Sequence, residues 1–187
     1  MNDYADWYNK IYKNRPTYNN ADKAKLDIIK NLLKNKNVES LSILDVGCGR
    51  GHYLRLFREM GFKSILGIDP SQECATRYLT DVPHIVSDFY SFAKNIPTNQ
   101  YNVVFCTDVL EHIKPEDIDE FIKELTRLAP YSVLGIANHS DIQEGIQLHL
   151  IQEPWSWWEK KLRNIYNEVN YLESLHSNKF FFCECKR

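Results

Sequence analysis

Apolar residues follow a helical period in the first forty positions, and from Ser42 short apolar strands alternate with helical stretches. From Tyr4 to Lys13, the side chains of Tyr4, Trp7, Tyr8, Ile11 and Tyr12 repeat at helical spacing, which predicts a helix whose aromatic face must cover something. After Pro16 a second helix is predicted, with Asn20 as N-cap and Asp22 in its positive first turn. Ala21, Ala24, Ile28, Leu32 and Leu33 lie on one side of it, and it ends near Asn35. From Ser42 the pattern becomes strand (Ile43 to Val46), glycine-rich turn, helix (Tyr53 to Met60), with Gly61 as the stop. The same unit repeats as a strand from Ser64 to Ile68, then Pro70 and Ser71 opening a helix through Leu79.

A weak strand at His84 to Val86 precedes an irregular stretch. Val103 to Thr107 is continuous, β-branched and apolar, as a parallel strand buried on both faces must be. Pro115 at N1, Glu116 and Asp117 in the first turn, and Ile118, Phe121, Ile122 and Leu125 at i, i+3, i+4 and i+7 predict the next helix. Ser132 to Ala137 is a fifth strand. Glu168 to Leu172 and Phe180 to Cys185, joined by the turn-rich Ser174 to Lys179, predict an antiparallel hairpin. Strands alternating with helices place the chain in the α/β class with a mostly parallel sheet.

At 187 residues the chain has the length of one domain, with 43% hydrophobic and 26% charged positions, which excludes a disordered or fibrous protein. A net charge of −2 gives no field to draw in a nucleic acid or an anionic membrane. The five cysteines (Cys48, Cys74, Cys106, Cys183, Cys185) form no disulfide framework and read as reduced thiols, so a cytoplasmic setting is expected. Met1 to Asp6 is polar and acidic, unlike a secretory leader, and no apolar run approaches the ~20 residues that cross a bilayer. Cys183 and Cys185 share one face of the last strand, where small buried hydrophobes outweigh metal ligands.

Three of the seven glycines, Gly47, Gly49 and Gly51, fall where a strand turns into a helix. Such a turn brings backbone against a ligand with no side chain between. His52 stands where the dinucleotide fingerprint needs its third glycine, and Asp45 in the strand end repels phosphate while welcoming an ammonium. Twenty residues after Gly49, Asp69 at the tip of the second strand can accept hydrogen bonds from both hydroxyls of a ribose. Together these suit an adenosine without phosphates.

Asp45 to Gly51 with Asp69, then Ser87-Asp88-Phe89 and Thr107-Asp108-Val109-Leu110-Glu111-His112, resemble the class I S-adenosylmethionine-dependent methyltransferases over Ser42 to Ala137. The resemblance implies a Rossmann-like three-layer sandwich with a seven-stranded, mostly parallel sheet whose last strand is antiparallel. Residues 1–40 would form a helical cover, 41–137 the cofactor-binding core and 138–187 the acceptor side with the terminal hairpin. It implies S-adenosylmethionine as cofactor, with Asp45 near the ammonium, Gly47, Cys48 and Gly49 near the methionine and ribose part, and Asp69 and Pro70 at the ribose. Asp88 would accept from the adenine amino group with Phe89 packed nearby, and Thr107 and Asp108 would line the methionine end.

The expected activity is methyl transfer to a small molecule, an O-methylation of a sugar or surface-glycan precursor, with His112, His139 or His149 as general base. Three Trp within Trp155 to Trp158, after the fifth strand, suggest a sugar-stacking wall together with His149, while Trp155 and Trp158, three apart on a helix, suit core packing equally. No metal is expected, since Asp108 and Asn138 lack a completing acidic ligand. A noncatalytic cofactor-binding subunit and an RNA methyltransferase are the alternatives; oligomeric state is open.

Overall fold

The computed structural model describes residues 3–176 and 178–187, and only the backbone of Asp3 and Tyr4. Met1 and Asn2, the Tyr4 side chain counted on the first aromatic face, and Ser177 in the expected terminal turn lie outside the described residues. The chain divides into two units, Met1–Asn95 and Ile96–Arg187.

In the first unit, helices α1 (Asp3–Asn14) and α2 (Lys23–Leu33) precede strand β1 (Ser42–Val46), helix α3 (His52–Glu59) and strand β2 (Ser64–Asp69). Helix α4 (Gln72–Tyr78), strand β3 (His84–Val86) and helix α5 (Phe89–Ala93) follow. Helix α2 starts later than expected. Asn19 still turns at φ 53°, and Asp22 is the N-cap, its carboxylate accepting from the Ala24 N–H at 2.9 Å. Helix α3 stops as its sequence predicts: the Phe62 N–H donates to the Phe57 carbonyl and the Gly61 N–H to that of Arg58, while the Phe57 and Phe62 rings meet at 5.5 Å. Helix α5 was not expected, because five residues are too few to display a period. Asp88 starts it by accepting from the Ser91 N–H at 2.9 Å.

The second unit runs through strand β4 (Val103–Thr107), a 3-10 turn (Leu110–His112), helix α6 (Ile118–Leu128) and strand β5 (Tyr131–Ala137). Short strands β6 (Ile142–Gln143) and β7 (Ile146–Gln147), helix α7 (Trp155–Arg163), and strands β8 (Glu168–Leu175) and β9 (Phe180–Lys186) complete it. Pro115 is not at N1: it opens a separate turn closed by the Asp117 N–H to the Lys114 carbonyl, and α6 begins three residues later with Asp119 and Glu120 in its first turn. The β6–β7 hairpin was not expected. Its two-residue turn, Glu144 at φ 53° and Gly145 at φ 82°, has the two left-handed positions that match the twist of paired strands.

Seven strands form one sheet in the order β3-β2-β1-β4-β5-β9-β8, and β9 is antiparallel to both of its neighbours, as expected. A second sheet holds only β6 and β7. Every residue of β4 is buried, which is why it reads as an unbroken apolar run. Ile43 and Leu44 of β1 and Ile118, Ile122 and Leu125 of α6 are buried to 1% exposure or less, each such side chain contributing ~1.5–3 kcal/mol.

Candidate functional site

Strand β1 ends in a turn whose glycines are all left-handed: φ is 72° at Gly47, 48° at Gly49 and 74° at Gly51. The Gly47 and Cys48 N–H groups both donate to the Ile68 carbonyl, which holds the turn against the end of β2. At Gly49 the left-handed φ strains any side chain, and a Cβ would also stand 2.5 Å from the Asn19 side-chain nitrogen, which would have to shift. Cys48, expected beside the ligand, turns its thiol into the apolar core with Leu54, Ala75, Leu79 and Val82. Burial first, then the charges of Asp45 and Asp69, raise that thiol's pKa well above its ordinary range, so its contribution is packing.

Two carboxylates flank this turn. Asp69 accepts from the Gly49 N–H and the Ser71 N–H, each at 2.9 Å, one on either oxygen. Burial pushes its pKa up to about 6 despite those two hydrogen bonds. Asp45 is buried too, and its Oδ2 has no hydrogen-bond partner among the described residues. Burial, helped by the negative charge of Asp69, raises its pKa well above the carboxylate range. A buried carboxylate oxygen without a donor costs free energy, so Asp45 is poised to meet a cationic or N–H group.

Helices α1 and α4 pack together. Asn9 Oδ1 accepts from both the Ser71 hydroxyl and the Glu73 N–H at 2.9 Å, adding a second cap to α4 beside the Ser71 hydroxyl that accepts from Cys74. The aromatic face predicted for α1 buries Ile11 and Tyr12, and the Tyr12 hydroxyl accepts from Asn19 at 3.4 Å. Asp88 is partly occupied as the α5 cap. Burial raises its pKa, but hydrogen bonds from Ser91 outweigh this and leave it lowered, hence ionised. Phe89 is buried beside it, and Pro70 is half-buried.

In the second unit, Thr107 closes β4 and is buried. Asp108 follows at φ 56°, a left-handed position that Asp tolerates better than most residues, with its N–H donating to the Gly135 carbonyl. The three histidines that the sequence scatters gather here. His149 lies 4.7 Å from the His112 ring and 4.8 Å from the His139 ring, measured between centroids. His112 Nδ1 is 3.1 Å from the Leu148 carbonyl and His149 Nδ1 is 2.6 Å from that of His139. A carbonyl only accepts, so both Nδ1 atoms carry hydrogen, and the lone pair of each neutral ring falls on Nε2.

Burial, with the neighbouring His149 adding to it, drives the His112 pKa down to about 3, and burial also lowers that of His149. Both are neutral near pH 7. His139 is exposed. Glu111, which the sequence reading did not single out, is wholly buried beside them. One of its carboxylate oxygens accepts from the Ala137 N–H, and its carbonyl accepts from both Leu150 and Ile151, strapping the segment after β7 to the 3-10 turn. Its signal in sequence was only the Glu-His pair itself. Its partners are 26 to 40 positions further along the chain, beyond any local pattern.

The tryptophans do something else. Trp158 is fully buried, and Trp155 packs on Tyr171 at 5.0 Å and Phe181 at 6.1 Å, which ties α7 to the β8–β9 hairpin. Trp157 sits edge-on to Trp158 with the Lys161 ammonium 5.3 Å from its ring centre. Cys183 and Cys185 are buried, unbridged thiols on one face of β9.

A family model described as a methyltransferase domain matches residues 18–178. A ubiquinone biosynthesis O-methyltransferase of Rickettsia canadensis (strain McKiel) is 28% identical over 135 residues, 68% of this chain and 56% of that protein. A tRNA U34 carboxymethyltransferase of Nautilia profundicola is 36% identical over 94 residues, 48% of this chain and 31% of that one. The chain thus spans about half the length, or less, of these curated relatives. Among solved structures, magnesium protoporphyrin IX methyltransferase (ChlM) from Synechocystis PCC 6803 with bound SAH superposes with a TM-score of 0.73 at 18% identity, covering 98% of this chain and 97% of that one. The fold is therefore the Rossmann-like one expected.

Proposed function

The chain belongs to the methyltransferase domain family, and we propose that it transfers a methyl group from S-adenosylmethionine to a hydroxyl of a small molecule. The observation that carries this is the left-handed glycine turn whose Gly49 N–H is bound by the buried Asp69 carboxylate. The first unit's residues fit the cofactor. Asp45 Oδ2, buried and without a partner among the described residues, suits an ammonium. A carboxylate has about four acceptor sites, so Asp69 can hold ribose hydroxyls beyond the two N–H groups it already binds. Asp88 and Phe89 would take the adenine, and α1 would cover the turn.

When bound, S-adenosylmethionine supplies a methyl group already activated on a sulfonium. What the chain adds is orientation, which can supply ~7–11 kcal/mol, and a place for the acceptor. That place is the histidine cluster of the second unit, beyond the carboxyl ends of β4 and β5, where open α/β sheets take ligands. His112 and His149 line that place as neutral rings, and exposed His139 passes the hydroxyl's proton to solvent.

A sugar acceptor loses its main support, because Trp155 and Trp158 are engaged in packing. The relatives named as ubiquinone biosynthesis O-methyltransferases support an oxygen acceptor on a small molecule. Calorimetry with S-adenosylmethionine, followed by transfer of a labelled methyl group to phenols, sugars and small RNAs, tests both parts. Label on an oxygen of a small molecule is expected. Label confined to RNA, or cofactor binding without any transfer, would replace this reading with one of its two alternatives.

A further inference from the structure

Among the described residues, one group of three ligating side chains gathers: a carboxylate oxygen of Glu111 and a ring nitrogen each of His112 and His149 lie within 4.8 Å of one another, all buried. We propose that Glu111, His112 and His149 hold one divalent transition-metal ion, of the zinc or manganese kind, and that the acceptor hydroxyl binds at its open coordination position. The second half rests on the methyl-transfer reading above; the first half does not. The expectation of a metal-free site came from Asp108 and Asn138, and this is a different set.

Three features support the site. Both imidazoles are aimed by Nδ1–H bonds to backbone carbonyls, of Leu148 and of His139, which is how proteins orient metal-ligating histidines. Two imidazoles with one carboxylate leave coordination positions open, as catalytic zinc and related metal sites do, and imidazole suits transition ions better than magnesium or calcium. The field is also right for a cation. Asp141 Oδ2 stands 3.9 Å from His149 Nε2, the atom that bears the neutral ring's lone pair, so two electron-rich atoms face each other and an ion nearby would satisfy both. Ligands bonded at ~2.0–2.2 Å stand no more than ~4.4 Å apart, so adjustments of well under 1 Å to about 1 Å close the set. A hydroxyl bound there would have its pKa lowered, as metal-bound water does, and its proton would leave to solvent.

The test uses the full chain stripped with a chelator and dialysed against zinc alone, then cobalt(II) as a spectroscopic probe. One ion per chain is expected, with cobalt bands of nitrogen and oxygen ligation and no thiolate charge-transfer band. Glu111→Gln and His149→Ala should each weaken binding by ~10–100-fold or more. Failure of the wild-type chain to bind, a thiolate band that puts the ion on the cysteines, or unchanged affinity in both variants overturns the proposal. Wild-type stoichiometry and spectrum do not depend on the variants folding. Binding of S-adenosylmethionine to the stripped chain is measured in parallel. Cofactor binding with no metal binding sinks this inference alone, whereas metal binding with no cofactor binding supports the ion site and sinks the methyl-transfer reading.

Discussion

In the first unit the groups offered to a ligand belong to a backbone turn and two carboxylates within 25 residues of one another, whereas in the second unit they are side chains brought from Glu111 to His149 by the fold. The turn is fixed within one strand-helix-strand unit, by left-handed glycines and by N–H groups bound to the Ile68 carbonyl and to Asp69 at the end of β2. The cluster is fixed at long range, by the hydrogen bonds of Leu150 and Ile151 to Glu111 and by rings pinned to distant carbonyls. A locally built site tolerates change elsewhere in the chain and holds a common cofactor. A site assembled from distant segments can be retuned by altering one of them, which suits the half that chooses an acceptor.

If that division is right, damage to one half should spare the other. His149→Ala should lower kcat by ~10²–10⁴-fold while S-adenosylmethionine affinity, read by calorimetry, stays within a few-fold. Loss of cofactor affinity in that variant would show that the halves are not separable. Asp69→Ala should do the reverse, costing ~1.5–3 kcal/mol in cofactor affinity, the range for hydrogen bonds to a charged group.

The pH response sharpens the contrast. With its pKa raised to about 6, Asp69 is protonated below that value and cannot accept from both ribose hydroxyls. Cofactor affinity should fall about tenfold per pH unit below 6, and Asp69→Asn should flatten the curve. For folding the sign is opposite. The folded chain holds this proton more tightly than the unfolded one, so the Asp69 contribution to stability is greatest below about pH 4 and declines as pH rises through 6. Thermal melts of the cofactor-free chain would check it. Smallest is Ser71→Ala, which removes the α4 cap and the hydroxyl that Asn9 accepts from; a loss of ~0.5–2 kcal/mol is expected in denaturant unfolding.

What could be read from sequence divides along the same line. Strands β1 to β5, the Gly61 stop and the terminal hairpin rest on periods and turn residues within a few positions, and they lie within a residue or two of expectation, apart from the longer β8. The caps of α2 and α6 shifted by two residues or more because Asn, Asp and Pro near a helix start compete, and only the preceding turn decides which one caps. Helix α5 and the β6–β7 hairpin are too short to carry a period. The chemistry of Glu111 was not legible because an acid next to a histidine has meaning only once Ala137 and the segment after β7 are placed around it. The tryptophan run left a stacking wall and core packing equally open, since the partners that decide it, Tyr171 and Phe181, lie in the hairpin beyond it.

The insertion of β9 between β5 and β8 also bears on how the chain is made. Strand β5 emerges from the ribosome well before the strand that will pair with it, and until Phe180 to Lys186 has been synthesised its outer edge has no neighbour. At the usual pace of synthesis that interval is on the order of seconds, long compared with hairpin formation on the order of microseconds. Strands β8 and β9 can therefore pair with each other first and dock as a finished ribbon, which makes the second unit's sheet a late, single-step closure. During that interval the exposed edge of β5 is the place where a nascent chain is open to pairing with the wrong strand.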